Sequence, residues 1–181
     1  MRERLQGNDR HQLGQADAVA SEVLRYPERF EELFEAILDE DPNVRMRAAD
    51  AAEKATRNRP DLLVPFRKRL IDEAGKVDQP EVQWHVAQML PRVRLEARER
   101  SKAVALLESW LESRSAILVS AALQSLTDFA ADDAVLRERM IPRLQTLAAR
   151  GTPAVQARAQ RMLTKLTALH TKRRPSPPRR R

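Results

Sequence analysis

Apolar residues recur every three to four positions along most of the chain, which is the spacing of one face of an α-helix. Turn residues divide this pattern into segments, and no stretch shows the alternation of a strand. Pro42 and Pro153 lie at helix starts, where a missing N–H costs nothing, whereas Pro91 is predicted to end or kink its helix. The predicted helices are 13–25, 27–40, 41–58, 61–74, 78–92, 96–112, 115–130, 133–149 and 153–169.

Every second helix repeats the same pattern. Their first branched apolar residues are separated by 38, 35 and 38 positions: Val44, Val82, Ile117 and Val155. A small or branched residue follows four positions later in each unit: Ala48, Val86, Ala121 and Ala159. Small residues let helices approach closely, and helix pairs repeated at this period predict an all-α solenoid in which each unit packs on its neighbours.

The second helices resemble the inner helix of HEAT repeats. The resemblance rests on Asp41-Pro42-Asn43-Val44-Arg45 followed by Ala48-Ala49, and on Pro80-Glu81-Val82 followed by Val86-Ala87. Pro65 and Pro142 lie inside first helices, where HEAT repeats often carry a helix-bending proline. Only the first unit has the Asp and Arg pair, because Arg45 is replaced in the others by Gln83, Leu118 and Gln156.

This resemblance implies a right-handed α-solenoid of about four HEAT-like helix pairs with a leading capping helix. The repeat domain is expected over residues 13–170, after a polar N-terminal segment, 1–12, and before a disordered basic tail, 171–181. In the last unit Gln160 stands where earlier units have alanine, which suits a terminal repeat that no further repeat covers. The second helices are expected to line the concave side, as in the family.

Positive charge is concentrated at the C-terminus. The net charge is +7, and six of those charges belong to the tail residues Lys172, Arg173, Arg174, Arg179, Arg180 and Arg181. A flexible cationic tail can contact nucleic acid, anionic lipid or an acidic protein, or can simply keep the chain soluble. Only six of the 33 basic residues are lysine, so the chain is rich in arginine. GC-rich coding also produces such a composition, so arginine abundance alone is weak evidence for phosphate binding.

The side chains predicted to point away from the core define a mildly basic groove on the second helices. They lie three, six and ten positions after the first branched residue of each unit. These residues are Arg47, His85, Ser120 and Arg158, then Asp50, Gln88, Leu123 and Arg161, then Lys54, Arg92, Thr127 and Lys165. A solvated polar face on an arginine-rich protein is the plainer interpretation of the same pattern.

Trp84 and His85 are the two groove candidates with distinctive chemistry. The residues that correspond to Trp84 in other units are all apolar: Met46, Val119 and Ala157. Packing against the adjacent inner helix is therefore the favoured prediction for Trp84, and an aromatic contact with a partner is the alternative. His85 has no second histidine nearby, because His11 and His170 lie near the ends. An exposed helical histidine, without a metal, is therefore expected.

The sequence offers no recognisable catalytic, cofactor or metal motif. The four glycines stand singly, so no phosphate-binding loop is predicted, and the chain has no cysteine. HEAT-like alkylpurine DNA glycosylases combine aromatic residues in the groove with a carboxylate. Trp84 together with Asp50 or Glu81 approximates this combination, but the motif that surrounds the site in that family is absent. Met1 to Gln12 lacks the apolar run of a signal peptide, so a cytoplasmic location is expected.

Two functions of different classes follow. The first is a non-enzymatic scaffold that binds a protein partner through Arg47, His85, Gln88, Arg158 and Arg161, with Trp84 as an apolar anchor. The alternative is nucleic-acid binding by the groove and the basic tail, with base-excision chemistry as a remote variant. The oligomeric state is left open by the sequence.

Overall fold

The structure is a computed structural model that describes residues 1–6 and 15–172, with side chains up to residue 169. Every regular element in these ranges is helical, as the apolar spacing predicts. The α-helices are α1 (Arg2–Leu5), α2 (Ala16–Arg25), α3 (Phe30–Ala36), α4 (Pro42–Asn58), α5 (Arg67–Asp72), α6 (Pro80–Met89), α7 (Ala97–Ser109), α8 (Ala116–Asp132), α9 (Ala134–Arg150) and α10 (Pro153–Lys172). Single 3₁₀ segments join or extend them at Pro27–Arg29, Pro60–Phe66, Ala74–Lys76, Leu90–Arg92 and Trp110–Glu112.

The helices form two rows. In the inner row, helices α2, α4, α6, α8 and α10 each pack on the next one along the chain. The outer row has four members, each of which precedes an inner helix. They are α3, the 3₁₀ segment Pro60–Phe66 together with α5, then α7, and then α9. The all-α fold and the helical solenoid of four pairs with a leading helix are therefore confirmed.

Side-chain caps fix the starts of two inner helices. Asp41 Oδ1 accepts a hydrogen bond from Asn43 N at 2.8 Å, and Pro42 occupies the first turn of α4. Ser115 Oγ accepts from Leu118 N at 3.3 Å at the start of α8. Both caps satisfy N–H groups that have no partner within the helix.

The outer helices of units one and two are shorter than predicted. The segment 27–40 opens with a 3₁₀ turn, Pro27–Arg29, before α3, and the segment 61–74 is 3₁₀ from Pro60 to Phe66 before α5. Pro65 lies inside that 3₁₀ segment. Its ring removes a backbone donor and crowds the preceding turn, so a regular α-helix does not form there.

The predicted effect of Pro91 is confirmed, and Gly75 has a packing role. Helix α6 ends at Met89, and Pro91 lies in the 3₁₀ turn that follows. A Cβ at Gly75 would lie 2.5 Å from Leu106 Cδ2, so glycine allows the turn between α5 and α6 to approach helix α7. Gly75 lies in the 3₁₀ turn Ala74–Lys76.

The predicted repeat register is wrong by one residue in unit three. Ile117 is 57% exposed, whereas Leu118 is 1% exposed, so Leu118 is the equivalent of Val44, Val82 and Val155. The spacings become 38, 36 and 37 residues, which is more uniform than the sequence pattern suggested. The run Ala116 to Val119 is apolar at every position, so its spacing alone could not identify the buried one.

Alanines let the inner helices pack closely. Ala48, Ala49 and Ala52 on α4 are completely buried, as are Ala87 on α6 and Ala122 on α8. Ser125 adds a polar contact between α6 and α8, because its Oγ donates to the carbonyl oxygen of Ala87 at 2.6 Å. The core therefore runs along the solenoid instead of forming one centre.

The first residues pack against the repeats, although the sequence placed them outside the repeat domain. Leu5 is completely buried, and Arg47 Nη1 donates to its carbonyl oxygen at 2.8 Å. Arg2 forms a two-pronged ion pair with Asp39, with Nε 2.6 Å from Oδ2. Helix α1 therefore covers the N-terminal end of the solenoid.

At the other end, two residues assigned to the tail belong to helix α10. Thr171 and Lys172 lie in its last turn. The remaining predicted tail residues, 173–181, lie outside the described residues.

Candidate functional site

The inner helices form a groove with two adjoining depressions. The larger, about 540 Å³, is lined by residues of α4, α6 and α8: Glu53, Arg57, Gln88, Pro91, Arg92, Gln124, Ser125 and Asp128. The smaller, about 310 Å³, lies between α6, α8 and α10: Gln88, Ala116, Ile117, Ser120, Ala121, Gln124, Ala154 and Arg158. Gln88 and Gln124 line both depressions, so the groove is continuous from unit one to unit four.

The prediction that Arg47 faces the groove is wrong. Its side chain is 3% exposed because helix α1 covers it, and it holds the carbonyl oxygen of Leu5. The third position of each unit faces the preceding inner helix, and for the first unit that place is filled by α1 and α2. The hydrophobic spacing alone could not show this, because α1 lies outside the repeat pattern.

Asp50 is also buried instead of facing a partner, being 8% exposed. Lys54 Nζ lies 2.8 Å from Asp50 Oδ2 and 2.6 Å from Asp17 Oδ1. The Lys54 ammonium is desolvated by burial, but hydrogen bonds to Asp17 and Asp50 outweigh that cost and raise its pKa. Lys54 therefore ties α2 to α4.

His85 is not the exposed histidine that the sequence predicted. It is 9% exposed, and its Nδ1 has no hydrogen-bond partner among the described residues. Burial lowers its pKa to about 4, although Asp50 and Glu53 act in the opposite direction. The ring of Trp84 contacts the His85 ring edge-on at 5.3 Å, and Trp84 is half-buried against the core.

Arg92 lines the larger depression but is already bound. Its Nη1 donates to the carbonyl oxygen of Glu53 at 2.7 Å and to Thr56 Oγ1 at 3.1 Å, and its Nη2 binds the Glu53 carboxylate. Arg57 Nε donates to the same carboxylate at 2.9 Å. Glu53 is 2% exposed, so this cluster links units one and two and leaves little capacity for a ligand.

A second network runs along units three and four. Gln124 Nε2 donates to Asp128 Oδ2 at 3.0 Å, and Gln124 Oε1 accepts from Arg158 Nη1 at a long 3.4 Å. Lys165 Nζ lies 2.9 Å from Asp128 Oδ1. Arg161 is exposed, and within residues 1–6 and 15–172 it makes no hydrogen bond or ion pair.

The register shift changes which unit-three residues face the groove. Leu123 and Thr127 were predicted to point outward, but both are completely buried, and Thr127 Oγ1 donates to the carbonyl oxygen of Leu123 at 2.7 Å. Gln124 and Asp128 occupy the outward positions instead. Ser120 does line the smaller depression, at half burial. Counting from Leu118 would have identified Gln124 and Asp128.

The groove is less basic than the sequence suggested. Glu53, Asp128 and Asp17 bring carboxylates to the cations of the inner row. Glu53 could not be identified from the sequence as a groove residue, because its position in the repeat is otherwise apolar or uncharged. The surplus of positive charge in the described groove lies on α10, at Arg158 and Arg161.

The family of the chain follows from its sequence. A model of the HEAT repeat domain matches residues 1–127. The chain belongs to the HEAT repeat family. The match includes α1, which agrees with its packing on the first HEAT repeat, and it ends within helix α8.

Two solved structures with a similar fold are engineered proteins. Two crystal structures of engineered proteins, both Northeast Structural Genomics Consortium targets, are similar to this HEAT-repeat chain. The first has a TM-score of 0.64 and 21% identity, and the match covers 92% of this chain and 79% of the engineered one. The second has a TM-score of 0.63 and 19% identity, with 92% and 78% covered. These similarities extend the helical solenoid over the fourth repeat. No curated protein matches the chain.

Two kinds of feature are missing from the part of the chain that the structure describes. No group of three or more His, Asp or Glu side chains is placed to hold a metal ion among those residues. None of the described helices is both long and apolar enough to span a bilayer. The HEAT repeats form a helical scaffold. Its inner row carries the groove with the two depressions, the larger of which is about 540 Å³.

Proposed function

We propose that this HEAT-repeat chain is a non-enzymatic scaffold that binds a protein partner along the inner-row groove. The observation that carries the proposal is the continuity of the two depressions through Gln88 and Gln124. A surface that extends over four inner helices suits an extended partner segment better than a small molecule. The lining combines polar amides with an exposed isoleucine, so a protein partner could both bury apolar surface and form hydrogen bonds there.

Ile117 is the apolar contact that the groove offers to a partner. It is 57% exposed and lines the smaller depression beside Ala121 and Ala154. A partner side chain that covers Ile117 removes apolar surface from water, which favours association. Single exposed apolar residues are common, so the position of Ile117 within a depression is what makes it informative.

A pair of matched substitutions tests the proposal. Ile117 is the second residue of α8, and Val135, which is 75% exposed, is the second residue of α9 and lines a separate outer depression of about 270 Å³. An aspartate is favourable near either helix N-terminus, so Ile117→Asp and Val135→Asp are both expected to fold. Proteins captured by the full chain from a native extract are quantified for each variant.

We expect the captured amount of one partner to fall at least ~10-fold with Ile117→Asp and to stay unchanged with Val135→Asp. The reason is that a charge in the centre of an apolar contact weakens binding. The contrary result is a set of captured proteins that depends on Val135 and not on Ile117. That result would place the interface on the outer row and would reject the groove.

Nucleic-acid binding is the alternative function. The tail charges support it, but Arg57, Arg92 and Lys165 are bound to Glu53 and Asp128, which weakens the attraction of these groove cations for phosphate. The test is the binding of a fluorescent DNA duplex at ~50 and ~200 mM salt, for the full chain and for a variant with serine at the six basic tail positions. Affinity that persists in the serine variant and falls steeply with salt would favour a nucleic-acid groove over a protein groove.

A further inference from the structure

The charge of the groove changes from one end to the other. The sixth position after the first buried residue is Asp50 in unit one, Gln88 in unit two, Gln124 in unit three and Arg161 in unit four. Asp50 is buried and bound to Lys54, so the surface of this row offers a ligand two neutral amides followed by a cation. A ligand that matches it must itself have charged and uncharged parts in a fixed order.

We propose that the groove binds an acidic segment of the partner, with its carboxylates on Arg158 and Arg161 and a neighbouring aliphatic side chain in the Ile117 depression. This inference rests on the proposed protein-binding function and adds the chemistry of the segment. Its basis is charge complementarity together with the juxtaposition of α10 cations and an apolar depression.

The cations at the unit-one end are neutralised within the protein. Lys54 is bound by Asp50 and Asp17, and Arg57 and Arg92 share the buried Glu53. A carboxylate arriving there would compete with carboxylates that are already in place. That half of the groove is therefore electrostatically indifferent to an acidic ligand.

The cations on α10 are different because their partners are weak or missing. Arg158 has a single long hydrogen bond of 3.4 Å to the neutral amide of Gln124, and Arg161 has no polar contact with the described residues. A carboxylate binds a guanidinium through two short, charge-assisted hydrogen bonds, which are stronger than a long bond to an amide. Arg158 can therefore exchange Gln124 for a ligand carboxylate at little cost.

The apolar depression lies directly beside these cations. Ile117, Ala121 and Ala154 line it, and Arg158 forms part of the same wall. Its volume of about 310 Å³ is enough for one or two aliphatic side chains of a bound segment. Gln88 also lines this depression, and its exposed side-chain amide is available to the backbone of an extended ligand.

The experiment is selection from a random 12-residue peptide display library on the full chain, at ~150 mM salt. Enriched peptides are synthesised with a fluorophore, and their affinities are measured by anisotropy. The test variant is Arg158→Glu with Arg161→Glu. The control is Lys68→Glu with Arg98→Glu, which makes the same change in net charge at two exposed positions on outer helices. Circular dichroism confirms that each variant is folded.

We expect the enriched peptides to carry at least two Asp or Glu residues close to an aliphatic one. The test variant should weaken them at least ~10-fold, and the control should change their affinity less than ~2-fold. Ile117→Asp should weaken the same peptides. These results together support an acidic segment in the groove.

Three other results overturn the inference. If the peptides need Ile117 but bind the Arg158→Glu, Arg161→Glu variant unchanged, the groove binds peptides of another chemistry and the proposed function survives. If acidic peptides lose affinity only when the basic tail residues are replaced by serine, the tail and not the groove selects them. If no peptide is enriched, the segment chemistry is rejected, and the comparison of Ile117→Asp with Val135→Asp decides separately on the proposed function.

Discussion

His85 shows how the repeat position of a single side chain determines its protonation. The third position of unit two points at helix α4, where His85 is covered from solvent and lies near Asp50 and Glu53. The loss of hydration outweighs the attraction of those carboxylates, so the neutral imidazole is favoured. Protonation of His85 is therefore less favourable in the folded protein than in the unfolded chain.

The stability of the protein should fall with acidification for this reason. The pKa of His85 is about 4 in the folded chain and 6.5 ordinarily, so the unfolded state binds the proton first as the pH decreases. The contribution of His85 to stability is complete above pH ~7.5, and about 2 kcal/mol of it should be lost between pH ~7.5 and ~5. Urea unfolding across that range measures it. The variant His85→Gln should lack this slope, and an equal slope in both proteins would contradict the assignment to His85.

At the scale of the elements, the turn between α9 and α10 depends on a glycine. A Cβ at Gly151 would lie 2.7 Å from the carbonyl oxygen of Leu147 and 2.8 Å from Val155 Cγ1. The first of these is backbone, which cannot move without disturbing the end of α9. The residue therefore fixes how closely the last inner helix approaches its outer partner.

Gly151→Ala is expected to destabilise the protein by about 1–2 kcal/mol, because the added methyl group overpacks this turn. Gly75→Ala is the comparison, since its Cβ would meet mainly the end of the Leu106 side chain, which can change rotamer. Thermal unfolding of both variants provides the measurement. A larger decrease in melting temperature for Gly75→Ala than for Gly151→Ala would contradict this expectation, because it would mean that Leu106 cannot change rotamer.

The elements also show what the sequence could and could not predict. Helical spacing and proline positions were enough for the solenoid and for the end of α6 at Pro91, because those signals are local. Spacing failed at Ile117 and Leu118, where neighbouring residues are all apolar and only tertiary contacts decide which is buried. It failed at Arg47 for another reason: the group that covers Arg47 is α1, 42 residues away in sequence.

At the scale of the whole molecule, α1 completes the N-terminal end of the solenoid. Leu5 fills the place that a preceding repeat would occupy, and Arg2 and Arg4 bind Asp39 and Glu22 around it. A repeat protein without such a cap exposes the apolar face of its first unit. The domain boundary predicted at residue 13 leaves α1 out, so a chain that begins there tests whether the repeats need it.

Leu5→Ala is expected to destabilise the protein by about 2–4 kcal/mol, the cost of a large-to-small change in a core. A chain that begins at residue 13 should lose at least as much. Gln6→Ala, at an exposed neighbouring position, should change stability by less than ~0.5 kcal/mol. Urea denaturation of the three variants measures the differences, and a truncated chain as stable as the full one would show that α1 is dispensable.

The outer row is held together differently from the inner row. Ion pairs connect successive outer helices: Glu35 with Arg69, Asp72 with Lys102, Glu108 with Arg139 and Glu112 with Arg143. These pairs lie at the surface, where dissolved ions weaken them, whereas the buried alanines of the inner row do not respond to salt. High salt should therefore loosen the contacts between successive outer helices, whereas the alanine packing between the inner helices, on which the groove is built, should be retained.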